Sequence, residues 1–289
     1  METTLETLAR RKIGPKNVDW IVVLGISAMH IGSLVTPFYF SWSAAAVFLM
    51  MVPVTACLGI TLCYHRLLTH HSFKTPGWFE FLLTTCACLA WQGGPIQWVG
   101  VHRLHHMHSD KDLDPHSPQH GFTWAHMFWC MVKKPDGFDP AEITCDLAHS
   151  RVLHILNTFF WVPQIIFTVG LYYAGEWASS TWIGGSGISW VVWGVFLRTT
   201  VVYHGTWFVN SACHTWGYRN YETRDRSTNL WWVAILAFGE GWHNNHHKFQ
   251  WSARHGLRKS EPDLTYLLIC FLEKIGLAWD VKLPKTLSE

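Results

Sequence analysis

The residues of this chain best suited to chemistry are histidines, gathered in three short runs. These are His65-Arg-Leu-Leu-Thr-His70 with His71 following, His102-Arg-Leu-His105-His106, and His243-Asn-Asn-His246-His247. Neutral imidazole is the commonest protein ligand for a transition metal, and the 19 His nearly equal the 22 Lys and Arg together. On a helix, residues three and four apart return to within roughly 60° and 40° of one face, so each His-x-x-His-His is expected to aim three imidazoles at one point. The wider spacing of His65 and His70 needs a helix end or a distortion. His214, preceded by Asn210 one turn earlier, is a ninth candidate. A zinc site is filled by four ligands, and soluble di-iron bundles use Glu with Glu-x-x-His, a spacing seen here in Glu240-Gly-Trp-His243. Two metals held almost wholly by histidine fit the pattern better. Such a centre with open positions can activate O2 for attack on an unactivated methylene, which acid-base side chains cannot achieve.

Other candidates carry less. Asp110-Lys-Asp112-Leu-Asp114-Pro-His116 suggests a calcium loop but has Pro115 and Gly121 where the loop needs Gly and Glu, so its carboxylates are read as partners orienting the His102 run. Gly184-Gly-Ser-Gly187 has no following Lys-Ser/Thr and reads as a flexible turn. Single histidines such as His30, His149, His154 and His255 read as capped or core residues. The eight Cys, without a Cys-x-x-Cys pair, read as buried small hydrophobes.

The elements that hold the histidines are marked by where charge is missing. The 289 residues are 49% hydrophobic and only 15% charged, against about 25% charged in an ordinary soluble domain. Disorder is excluded, and a net charge of +2 with no basic run longer than Arg10-Arg11-Lys12 argues against nucleic acid. No Asp, Glu, Lys or Arg stands between Asp19 and Arg66, room for two helices of roughly 20 residues and a turn. A second apolar hairpin lies between Arg151 and Arg219, interrupted by Glu176 and Arg198. The expected spans are about 21–40, 43–63, 155–174 and 188–213, with Trp177, Trp182 and Trp190 at an interface. Apart from Arg198, every Lys and Arg falls outside these spans and their two turns, so both termini and the middle loop are expected to be cytoplasmic. Phe81 to Trp91 and Leu230 to Phe238 are expected to be interfacial helices. The predicted fold class is therefore an all-α integral membrane protein, one domain over 1–289, with four transmembrane helices in two hairpins and a cytosolic helical cap over 64–154 and 214–289. The N-terminus, with Glu2 and Glu6 and no small-residue cleavage site, resembles neither signal nor transit peptide. All three histidine runs fall where spans or half-spans meet the cytoplasm.

His65-x4-His70, His102-x2-His105-His106, Asn210-Ser-Ala-Cys-His214 and Gly239-Glu-Gly-Trp-His243-x2-His246-His247 resemble the histidine boxes of membrane fatty-acyl desaturases of the stearoyl type. Gln92-Gly-Gly-Pro-Ile-Gln-Trp98, Tyr203-His-Gly-Thr-Trp207, Asp225-Arg-Ser-Thr-Asn229 and Trp251-Ser-Ala-Arg-His-Gly256 are similar to the cyanobacterial-type acyl-lipid enzymes that introduce a Δ9 double bond. The resemblance implies two Fe(2+) ions held by His65, His70, His102, His105, His106, His214, His243, His246 and His247, with Asn210 holding a metal-bound water and His71 and His108 as bystanders. It implies a bent acyl tunnel lined by Gln92, Trp98, Thr206 and Trp207. A related Arg stands at Arg198 in the family, and a structural role is expected for it.

The resemblance also implies O2 and a saturated stearoyl or palmitoyl chain as substrates. Animal acyl-CoA enzymes have an Arg-Asp pair where this chain has Gly100-Val101, which argues for a lipid-bound chain, while Lys133-Lys134 resembles another part of the CoA site. No haem motif of the cytochrome b5 kind is fused to the chain, so a separate donor is implied, ferredoxin or alternatively cytochrome b5. The implied home is a thylakoid, plasma, endoplasmic reticulum or plastid membrane. Two competing readings remain: a related di-iron hydroxylase, separated by its products, and a metal transporter, whose ligands would lie near mid-membrane rather than at span ends.

Overall fold

The computed structural model describes residues 17–133 and 139–285; Arg10-Arg11-Lys12, Lys134 and the last four residues lie outside them. Among the described residues the regular structure is entirely helical, with isolated β-bridges and no strand.

Helix α1 is Trp20–Leu34, opened by the Asp19 carboxylate, which accepts from the backbone N–H of Ile21 and Val22. It ends before Pro37 in a tight turn over Thr36–Tyr39, so the first expected span is shorter as a helix than 21–40. Helix α2, Trp42–Thr69, starts at Ser41, whose hydroxyl accepts from Ala44 N–H, a cap worth about 1 kcal/mol. Pro53 has no N–H to give the carbonyl four residues back. From Pro53 to Thr69 the helix takes the wider π form, with bonds five residues apart, and continues beyond the expected end at 63.

Helix α3, Gly77–Cys88, packs along α2 so closely that a Cβ on Gly59 would lie 2.6 Å from the Ala87 Cα. It stops short of Trp91, which has a positive φ of 56°, as does Gly93 at 102°. Pro95 then opens α4, Pro95–His108. Short helices follow: α5, Phe122–His126, and α6, Cys145–Ala148.

The third expected span is broken. Helix α7, Arg151–Thr158, and α8, Val162–Ser179, meet at a 66° bend, and Pro163 sits in the first turn of α8. Helix α9 covers residues 187–211 in three joined stretches, Gly187–Val191, Val192–Leu197 and Arg198–Ser211, and a 3-10 turn then carries His214. The cap continues with α10, Trp231–Leu236, α11, His243–Lys248, and α12, Leu264–Lys274.

Among the described residues only α2 is long and apolar enough on its own to cross a membrane; α7 with α8 passes if the bent pair is one span, and α1 has just 15 residues. Arg198 is fully buried within α9. Its Nε donates to Gly194 O at 3.0 Å, one Nη to Gln164 Oε1 of α8 at 2.9 Å, and the other to Leu89 O at the end of α3. One guanidinium therefore ties three helices together and satisfies a carbonyl that the end of α3 leaves open. An apolar core including Ile60, Leu62, Tyr64, Leu67 and Leu68 of α2 with Leu83, Ile96, Val99 and Ile269 packs the same stretch of α2 that carries His65.

Candidate metal centre

The π geometry of α2 explains the first spacing. His70 N–H donates to His65 O at 3.2 Å, so the two side chains fall one wide turn apart, with ring centroids 4.8 Å from each other. Arg103 of α4 steadies this exit: its guanidinium donates to Leu68 O and Thr69 O and pairs with Asp146 at 2.6 Å.

The other two runs do not each aim three rings at one point. His102 and His106, four apart on α4, join His65, His70 and His246 in one cluster. His105 turns away into a second cluster with His214, His243 and His247. The same division occurs on α11, where His243 and His247 stay together and His246 crosses over. The cause is helical geometry: the four-apart partner lies roughly 40° to one side and the three-apart partner roughly 60° to the other, so neighbours such as His105 and His106 diverge by about 100°. Two helices thereby serve two sites, with potential ligand atoms in each within 4.8 Å of one another.

Within the clusters Nε2 atoms face each other: His65 with His246 at 3.1 Å, His246 with His106 at 3.0 Å, His106 with His102 at 3.0 Å, and His243 with His214 at 2.9 Å. Convergent imidazole nitrogens at this spacing suit a shared cation. Burial disfavours the imidazolium and pushes His102, His106, His243 and His246 well below the ordinary histidine value. The neutral form is the one that ligates.

Carboxylates hold the rings from behind. His105 Nδ1 donates to Asp114 at 3.0 Å, His214 Nδ1 to Asp110 at 2.9 Å and His247 Nδ1 to Asp225 at 2.7 Å, while Glu240 Oε2 lies 2.6 Å from His65 Nδ1. With Nδ1 engaged outward, Nε2 is left facing the cluster. Burial alone would raise Asp114, but the neighbouring His105 and His116 hold it below the carboxylate range. Asp225 is likewise depressed against its burial by His247 and Ser227. Asp110 and Asp114 therefore have the orienting geometry expected from sequence, although Asp110 serves His214 rather than the His102 run, and Asp112 is exposed.

Sequence reasoning missed Asp225 and the partner of Glu240, which is His65 and not the nearby His243. It also missed His116, buried 4.3 Å from the His105 ring. His255, read as a core residue, is buried but lies beside the first cluster, 4.5 Å from His246 ring to ring and 3.1 Å from Glu240. His71 pairs with Asp146 at the surface, and His30 lies with Nδ1 on Ile26 O and Nε2 on His204 Nε2; neither joins a cluster.

A cavity runs down from the clusters. At its upper end are His65, His102, His243, Glu240 and Asn210; below, Val52, Ala56, Ile60, Val201, Val202 and Leu236 line it with Trp98 and Thr206. Gln92 fastens this wall, donating from Nε2 to Thr206 Oγ1 at 2.9 Å and accepting from Trp98 Nε1 at 3.2 Å. Trp207 is not among the residues lining this cavity. It is buried behind α9, stacked on Tyr203 at 5.0 Å and packed with Ile26 and Met29 of α1. Position 207 lies one residue, about 100° of helix, from the cavity-facing Thr206.

A metal-binding histidine pair of sites above an apolar channel is what an oxidase of alkyl chains requires, and the comparisons decide the family. Residues 40–265 match the fatty acid desaturase family. The chain belongs to that family. It is 50% identical over 268 residues to the sn-1 stearoyl-lipid 9-desaturase of Anabaena variabilis, covering 92% of this chain and 94% of the relative. It is 41% identical to the sn-2 palmitoyl-lipid 9-desaturase of Nostoc sp. (strain 36), covering 96% and 95% of the two chains. A chloroplastic palmitoyl-monogalactosyldiacylglycerol delta-7 desaturase of Arabidopsis thaliana is 45% identical, covering 93% of this chain and 70% of the relative. This protein is thus a fatty acid desaturase, an oxidoreductase acting on a fatty acyl chain with O2, and its histidine clusters fit metal binding.

Proposed function

We propose that the protein is a di-iron acyl-lipid Δ9 desaturase. One Fe(2+) is held by His65, His70, His102, His106 and His246, the other by His105, His214, His243 and His247, with Asn210 holding a water at the cavity wall. The observation that carries this reading is the division of the histidines into two clusters above one apolar cavity. Bound iron would supply the O2 activation needed to remove hydrogen from a methylene. The protein's own residues do the rest. Carboxylates fix the imidazoles, and Gln92 joins Trp98 to Thr206, giving the channel a rigid wall where one methylene pair must be held.

A saturated stearoyl or palmitoyl chain on a lipid is the favoured substrate. Gly100, where CoA enzymes have an arginine, packs so tightly that a Cβ there would lie 2.7 Å from Pro140 Cβ, leaving no room for a larger side chain. The named relatives that act on stearoyl-lipid and palmitoyl-lipid point the same way.

Four membrane crossings by α1, α2, α7 with α8, and α9 are proposed, with the clusters and both termini cytoplasmic. Outward-facing Ile21, Leu24, Ile31, Leu49, Ile166 and Tyr173 on three of these support lipid contact. Forming the alkene removes two hydrogens, so reducing O2 to two waters takes two further electrons and two protons from outside the substrate. A separate donor supplies the electrons, a ferredoxin in this reading or cytochrome b5 in the alternative.

The test is expression in a host lacking the activity, followed by mass spectrometry of intact lipids with double-bond location. New Δ9 monoenes on glycerolipids are expected. Hydroxylated chains, or unchanged lipids with the protein present in the membrane, would overturn the reading.

A further inference from the structure

The structure assigns the loop 219–226, with Lys248 and Arg258 beside it, as the docking surface for the electron donor, an acidic one-electron carrier protein. This rests on the proposed desaturase chemistry, which needs such a donor, and adds where it binds.

The loop connects the surface to the second histidine cluster in a single residue. Asp225 Oδ2 accepts from His247 Nδ1 at 2.7 Å, and the Asp225 side chain keeps 10% of its surface exposed. On either side of it Arg224 and Arg226 are exposed, as are Arg219, Lys248 and Arg258. None of these five makes an ion pair among the described residues. Arg258 lies over the Tyr218 ring, 5.9 Å from its centroid, which places it next to the loop. Beside the first cluster, Arg103 and His71 share the Asp146 carboxylate. Five cations without an ion pair among the described residues therefore gather, together with the exposed Glu222, around the residue that reaches His247.

The loop is also rigid. Arg219 donates to Asp225 O at 3.0 Å and to Thr223 O at 3.2 Å, and Asp225 Oδ1 accepts from Ser227 N–H at 3.0 Å and from Thr223 Oγ1 at 2.9 Å. A preorganised cationic rim loses little freedom when a partner binds, and it speeds encounter with an anionic one. Electron entry then runs from the docked carrier across the Asp225 carboxylate to the His247 ring.

The experiment uses the full-length purified enzyme with a plant-type [2Fe–2S] ferredoxin as the probe. Wild-type turnover driven by reduced methyl viologen reads the desaturase assignment without any protein donor. The docking surface is read by the ratio of ferredoxin-driven to viologen-driven turnover and by the KM for ferredoxin. For Arg224→Glu the ratio falls at least tenfold, the KM rises, and the dependence of rate on salt weakens. Lys74→Glu, at a distant exposed pair with Asp280, leaves the ratio as in wild type. An unchanged ratio in Arg224→Glu would overturn the assignment. So would a loss in that variant seen only when anionic lipid is varied, because the rim would then be a membrane contact.

Discussion

Glu240 joins the second residue of the first histidine box to the metal-facing first: its Oε1 accepts from Arg66 at 3.1 Å while its Oε2 lies 2.6 Å from His65 Nδ1. Arg66 is fully buried and also pairs with Asp263 at 3.0 Å. Burial alone would raise Glu240, but His65, His255 and Arg66 hold it ionised, so a negative charge stands against the His65 ring. Glu240→Gln removes that charge. Desaturation or iron affinity is expected to fall about 10- to 100-fold. Iron analysis of the purified variant beside product assays checks this, and wild-type values in both would contradict it.

Arg198→Leu leaves Leu89 O and Gln164 without their partner inside the helical bundle. An unsatisfied buried polar group costs about 1 to 3 kcal/mol, so the amount of folded protein should drop. Fluorescence-detected size exclusion from membranes measures it. Normal abundance with selective loss of substrate binding would move Arg198 from a structural to a substrate-contacting role.

Topology is tested by tags. With four crossings, tags inserted at Gly185 and after Glu289 report opposite sides of the membrane. Finding both on one side would refute the arrangement, whatever the chemistry.

Asp146 gives a pH prediction. Its hydrogen bond from Arg103 outweighs partial burial and lowers its pKa from 3.8 to about 2. A carboxyl whose folded value is depressed adds stability that is complete above 3.8 and is lost as pH falls through about 2. The melting temperature of wild type should therefore exceed that of Asp146→Asn by a constant amount above pH 4, with the gap closing toward pH 2. A gap independent of pH would show that the pair with Arg103 does not act through charge.

The histidine boxes and the helical class were legible because both are local: residue type and spacing carry them. The distortion demanded by His65 and His70 was legible too, and the π form beginning at Pro53 is its realisation. The division of each box was not read, though the angles were available, because three nearby histidines suggested one target when adjacent residues on a helix must diverge. Asp225 and Glu240 escaped because their partners, His247 and His65, lie 22 and 175 residues away along the chain. The bend between α7 and α8 was hidden by apolar residues on both sides, with only Pro163 to mark it. Which side of α9 Trp207 faces was not legible either, since nearness in sequence to Thr206 says nothing about it.

The most direct measurement is metal content by mass spectrometry on the purified protein, wild type beside His105→Ala and His246→Ala, one from each cluster. Two irons per chain are expected in wild type, with metal lost and desaturation abolished in both variants while the protein remains inserted in the membrane. A single metal per chain, or normal desaturation in either variant, would contradict a centre built from two histidine clusters.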